Sequence, residues 1–310
     1  MKNTFTNDIK KGLTAKNKFI PDRDYYDDRG SVYFQELMHN PDYYVYNSEL
    51  EILETYKNDI IDIFNKNTKR FNLIEFGAGD GIKTELLINE LINNNINFNY
   101  IPIDFSKKYI DDMELSFKKK FTSLNIKGIN ADYFDALEQI ANKNTKNIIL
   151  FIGSSFGGLT DIEADEFLSK VSSKMKKDDI LFIGFDLKKS PTILYKAYHN
   201  TCFDWCNYLL SRINNELGGN IDLSKFEYYT NYNPINGKFK WYFLSKIKQN
   251  IYIKDIDLNV SFDKSEPIYI GQSKKFSETE IISLSEKYNF KSINNYTDSN
   301  KYFIDSVWIK

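Results

Sequence analysis

The sequence predicts an α/β chain: a mostly parallel sheet with helices on both faces, followed by a second, smaller α+β part. Three observations carry this reading. Between residues 71 and 186, apolar runs of strand length alternate with helical patterns, the signature of parallel strands joined by crossover helices. Within that region, residues 73–87, LIEFGAGDGIKTELL, read as a buried strand, a glycine-rich turn and a helix. After residue 186 the alternation stops, and stretches at 238–246, 251–262 and 267–271 read as antiparallel strands, too long an excursion for a simple crossover.

Taken in order, the first stretch with a signal is 21–53, dense in tyrosine, which reads as a pocket wall or lid, or as amphipathic surface packing. Ser48 with Glu51 three residues on predicts a capping box and hence a helix start there. Gly77, Gly79 and Gly81 then fall where a chain leaving a strand must turn sharply and admit a ligand to its backbone. The spacing of a phosphate-binding P-loop is absent, although Lys83 and Thr84 follow. The strand 98–103 ends in Asp104, the position at which nucleotide-binding α/β units place an acid on ribose hydroxyls. Further strands are predicted at 124–128, 147–152 and 180–185, with helices starting near 81, 107, 133 and 161, the last capped by Thr160 and Glu163. Ligands of open sheets bind beyond the carboxyl ends of the strands, so Gly77, Asp104, Asp132 and the 153–159 loop are expected to converge. A long helix over 191–217 is expected to stop at Gly218 and Gly219, with a short element over 223–229. Near the end, Ser277 and Glu280 cap a helix before short strands at 291–295 and 302–309.

Composition narrows the function classes. With 310 residues and 42% hydrophobic side chains the chain can fill one large core or two modest ones. A net charge of -2 offers no strong field to nucleic acid or to an anionic membrane, and Lys118, Lys119 and Lys120 read as a solvated helix face. Cys202 and Cys206, four apart, share a helix face and read as core residues of a reduced protein, and their count excludes a disulfide framework. His39 and His199 are the only histidines, which predicts no metal site. No signal-peptide core and no apolar run of about 18 residues is present, so the expectation is a cytoplasmic protein off the membrane.

An E-x-G-x-G turn followed by a strand-terminal acid is similar to those of class I S-adenosylmethionine methyltransferases. Over nearly its whole length the chain resembles one such group, the histidine-specific (EgtD-like) N-methyltransferases of ergothioneine biosynthesis. The matching pieces are YDDRGS and NPDYY, IEFGAGDGIKT, YIPIDFS, NADYF, FIGSSFG, FDLKKSP with KAY, SRINNELGGNIDLSKF, YNP and SKKFSETE. The resemblance implies a class I (Rossmann-like) methyltransferase domain at 58–188 and 276–310, and a substrate-recognition domain at 1–57 and 189–275. It implies S-adenosylmethionine as cofactor, contacted by Gly77, Gly79, Lys83, Asp104, Asp132 and Tyr133. The chemistry suits these positions: Asp104 can accept from both ribose hydroxyls, Asp132 and Tyr133 can hold the adenine, and Lys83 can pair with the methionine carboxylate. Tyr43, Tyr198 and Ser273 fall on positions that bind an amino-acid substrate, and Tyr26 on a pocket tyrosine near the amine, which makes Tyr26 and Tyr43 the catalytic candidates.

Three positions depart from the family pattern. Gly158 stands where the family has an Asn on the substrate's amino-acid end, and Gly271 and Trp241 stand where it recognises imidazole with a Glu and a Met. Loss of a carboxylate that accepts from imidazole removes a charge-assisted hydrogen bond, about 1.5–3 kcal/mol. The expectation is a monomeric methyltransferase acting on the amine of an amino acid or related small molecule, with an aromatic or apolar side chain preferred to imidazole. Methylation of another acceptor, or cofactor binding without catalysis, are the alternatives.

Overall fold

The run Phe71–Phe76 (FNLIEF) forms a strand buried at every position, as a strand covered on both faces must be. It lies at the centre of one of two compact units: Val45–Leu187 with Phe276–Lys310, and the chain up to Tyr44 with Lys188–Lys275. The computed structural model describes residues 2–104, 107–131, 133–140 and 145–310.

In chain order, the strands of the first unit are β1 (Phe71–Phe76), β2 (Phe98–Asp104), β3 (Asn125–Ile126), β4 (Lys146–Phe151), β5 (Ile180–Asp186), β6 (Lys291–Thr297) and β7 (Phe303–Ile309). Their order across the sheet is β3-β2-β1-β4-β5-β7-β6, and the short Ile129–Asn130 pairs with the end of β2. All pair in parallel except β7, which runs antiparallel to both β5 and β6. This is the class I methyltransferase sheet, with its topological switch point between β1 and β4. A core of Phe76, Phe151, Phe156, Phe167, Phe185, Phe276 and Trp308 packs on one face.

The expected capping boxes at Thr160/Glu163 and Ser277/Glu280 are both formed. The one at Ser48/Glu51 is not, because the helix Tyr44–Asn65 begins earlier, just after a turn in which the backbone N–H groups of Asp42 and Tyr43 donate to the Asn40 side chain and carbonyl. Ser48 is instead buried inside that helix and donates to Asp298. The helix runs unbroken through residue 57, where the sequence reading drew a domain limit.

The second unit holds a four-stranded sheet in the order Lys18–Phe19, Pro267–Lys274, Lys238–Ser245, Phe226–Asn233, and a separate hairpin of Gln249–Ile253 and Leu258–Phe262. The hairpin corrects the single strand expected over 251–262: the chain reverses through Lys254–Ile256 and Asp257, which takes φ +45. The helix expected over 191–217 is interrupted. Pro191–Tyr195 passes into a π-helical turn, Lys196–Asn200, before Phe203–Leu217, which ends as expected on left-handed Gly218. An N-terminal helix, Lys2–Thr14, escaped the sequence reading although Phe5, Ile9 and Leu13 recur on one buried face. Among the described residues no helix is long and apolar enough to cross a membrane.

Candidate active site

The turn after β1 is built from glycines in left-handed backbone, Gly77 at φ +68, Gly79 at +55 and Gly81 at +71. The N–H of Gly77 donates to Ile103 at the end of β2, which ties the turn to the neighbouring strand (2.9 Å). A Cβ on Gly77 would stand 3.0 Å from the Tyr133 hydroxyl, whereas nothing lies within 4 Å of one on Gly79. The turn thus leaves open space on its outer side and a tyrosine on its inner side. Tyr133 opens the helix Tyr133–Ile140 and stacks on Phe76 at 4.7 Å and 16°. Asp104 closes β2 half-buried, and its carbonyl accepts from Asn130 (2.9 Å). Gly77, Asp104 and Tyr133 therefore gather at the carboxyl ends of β1 and β2, beside the switch point. Asp132 lies outside the described residues. Gly158 ends the short helix Ser155–Gly158 that follows β4.

Lys83, on the first turn of the helix Ile82–Asn93, pairs with Glu49 of the helix Tyr44–Asn65, and its ammonium lies 5.6 Å from the Tyr46 ring. Burial disfavours the ammonium, but the charge and hydrogen bond of Glu49 outweigh it, so the pKa of Lys83 lies above the ordinary lysine value. Glu49 was missed by the sequence reading. The signal was available: Glu49 falls on the buried stripe of Val45, Ile52 and Leu53, where an acid is costly without a partner. One strand away, Glu75 of β1 accepts from Thr84 and Tyr100, and burial pushes its pKa up to about 7 against those two donors. No group of three metal-ligating side chains is found among the described residues.

In the second unit, five predicted substrate positions stand together. Gly271 pairs with Trp241 across the sheet, and Ser273 with Phe239. The Trp241 indole N–H donates to the Tyr198 carbonyl (2.9 Å), and the Tyr198 ring meets Tyr43 edge-on at 5.6 Å. Tyr198 belongs to the π-helical turn, a distortion frequent at functional sites. Lys275, fully buried and not foreseen, places its ammonium 3.4 Å from the centre of the Tyr198 ring and donates to Ser273 (2.6 Å). Tyr26 packs in another aromatic group, with Phe34 at 5.6 Å and Trp205 at 5.8 Å, and is half exposed.

A sequence model of the family described as histidine-specific, S-adenosylmethionine-dependent methyltransferases matches residues 5–310. The chain belongs to this family. It is a methyltransferase, and S-adenosylmethionine is its cofactor. Among curated relatives, this methyltransferase is 26% identical to a histidine N-alpha-methyltransferase of Mycolicibacterium smegmatis, over 94% of this chain and 90% of the other. It is 25% identical to a histidine N-alpha-methyltransferase of Mycobacterium tuberculosis, over 87% and 83%. An L-tryptophan methyltransferase of Psilocybe serbica is 24% identical over 78% of this chain and 74% of its own. The glycine turn fits the cofactor: its outer side is open where a Cβ on Gly79 would project, an acid closes the neighbouring strand, and an aromatic residue and a cation stand on the first turns of two helices.

Proposed function

We propose that this methyltransferase alkylates the α-amine of an amino acid with an aromatic side chain, in preference to histidine. The observation that carries the preference is the Trp241–Gly271 pair. A Cβ on Gly271 would sit 3.8 Å from the Trp241 ring, so the indole stands over the space a longer side chain would take. With its N–H engaged by the Tyr198 carbonyl, Trp241 offers the substrate an apolar face and no acceptor for imidazole. Tyr43, Tyr198 and Ser273 hold the amino-acid end, and Lys275 adds a cation beside Ser273 and Tyr198.

For the cofactor, Gly77 and Gly79 let it approach the backbone, Asp104 accepts from the ribose hydroxyls, Asp132 and Tyr133 take the adenine, and Lys83 meets the carboxylate of its amino-acid end. When bound, it supplies an activated sulfonium methyl. The protein's part is to present an unprotonated amine in line with that methyl, about 3–3.5 Å away, which supplies most of the rate. Tyr43 and, from its separate aromatic group, Tyr26 serve this by orienting the amine through their hydroxyls. The enzyme works as a cytoplasmic monomer without nucleic-acid partners. Competition among equal histidine, tryptophan, tyrosine and phenylalanine, read by mass shift, tests the preference: methylated aromatic amino acids are expected to dominate, and preferential methylation of histidine refutes it.

A further inference from the structure

Asp305 sits in the middle of β7, fully buried, and neither of its carboxyl oxygens meets a hydrogen-bond donor. It pairs in register with Gly184 of β5, so both residues point to the same face of the sheet. That face carries the Glu49 carboxylate: a Cβ on Gly184 would fall 2.6 Å from Glu49 Oε1, so only glycine leaves Glu49 this place. Glu49 in turn accepts the Gly153 N–H at the end of β4 (2.7 and 3.0 Å) and binds the Lys83 ammonium. Four elements thus meet at one buried carboxylate, and the acid beside it has no cation of its own.

Lys83 and Glu49 together are neutral. A second ionised carboxyl would leave a buried net negative charge, which proteins avoid by retaining a proton. Burial first, and then the charge of Glu49, hold Asp305 well above the usual carboxylate range, with Lys83 opposing in part. The groups facing this cluster are Glu49, Lys83 and, towards Lys83, Asp80 and the Tyr46 ring.

We propose that Asp305 is a positioning residue for cofactor binding: its carboxylic acid donates a hydrogen bond to Glu49, and Glu49, fixed in this way, aims the Lys83 ammonium at the carboxylate of the cofactor's amino-acid end. This rests on the reading of Lys83 as a cofactor contact. It makes Glu49, Gly153 and Asp305 the setting of that contact, and it explains a buried acid that would otherwise only destabilise the sheet.

Calorimetry with two ligands isolates the claim. S-adenosylhomocysteine carries the amino-acid end, and 5′-methylthioadenosine lacks it. Asp305→Val, which cannot donate, is expected to weaken S-adenosylhomocysteine at least about tenfold, the loss of one charge-assisted hydrogen bond, and to leave methylthioadenosine unchanged. Asp305→Asn keeps a donor and is expected to restore the parent affinity for both. Should the valine variant not fold, Glu49→Gln, which frees Lys83 of its partner, is expected to show the same split between ligands. An equal loss of both ligands, an unaffected valine variant, or an asparagine variant as weak as the valine one overturns the proposal while the cofactor reading stands. A parent protein that binds S-adenosylhomocysteine no better than methylthioadenosine overturns the reading of Lys83 and the proposal together.

Discussion

The two units collect their candidate residues in opposite ways. In the unit containing β1–β7, Gly77, Lys83, Asp104 and Tyr133 come from successive strand ends and helix starts, each close in sequence to the element that places it. In the other, Tyr43, Tyr198, Trp241, Gly271 and Ser273 come from distant stretches, and they meet only because two strands pair and a π-helical turn leans on them. Among the first, Asp104 stands half-buried at a strand end and is separable from the fold. Those of the second kind are part of the core they line, and Trp241 is only 7% exposed.

The sharpest test of this contrast is Trp241→Ala. It removes a buried indole, its packing on Tyr198 and Phe239, and a donor to the Tyr198 carbonyl, and is expected to destabilise the protein by about 3–5 kcal/mol in urea unfolding. A loss below about 1 kcal/mol would mean that the aromatic group is a lining and not a core. Asp104→Ala should behave in the opposite sense. If Asp104 accepts from both ribose hydroxyls as proposed, two charge-assisted hydrogen bonds are lost and affinity for S-adenosylmethionine falls at least about 100-fold, while unfolding shifts by no more than about 0.5 kcal/mol because the residue closes a strand half-buried. Parent-like affinity would remove Asp104 from the cofactor site.

The smallest effect concerns pH. Among the described residues, one acid in each unit has its pKa raised to about 7, Glu75 in one and Asp24 in the other. Glu75 is raised by burial despite two donors, whereas Asp24 is raised by burial and by Asp8, with Arg212 opposing and its Oδ2 left without a hydrogen bond. Both folded-state values lie above the unfolded ones, so the folded protein holds these protons more tightly, and stability falls as pH rises from about 4 to about 7. Urea midpoints at pH 5 and pH 8 should differ less for Glu75→Gln and for Asp24→Asn, and least for the double variant. An unchanged difference would show that these acids are not what titrates.

Local signals were legible in the sequence because the bonds that realise them are local. The β1–turn–helix unit, the alternation of strands and helices, and the capping boxes at Thr160/Glu163 and Ser277/Glu280 depend on periodicity, on glycine's positive φ and on bonds spanning three residues. Ser48 and Glu51 carried the same cap signal and were overruled, since the turn at Asn40 starts the helix earlier and Ser48 finds Asp298 far along the chain. The aromatic positions of the second unit were legible only through family resemblance; their meeting rests on strand register, which no local pattern sets. The Glu49–Lys83–Asp305 cluster was decided by tertiary structure alone. Neither the acid in the helix stripe nor the one in the buried strand stood out from the sequence, and they become one network only when β7 docks on β5 and brings Asp305 beside the glycine that makes room for Glu49.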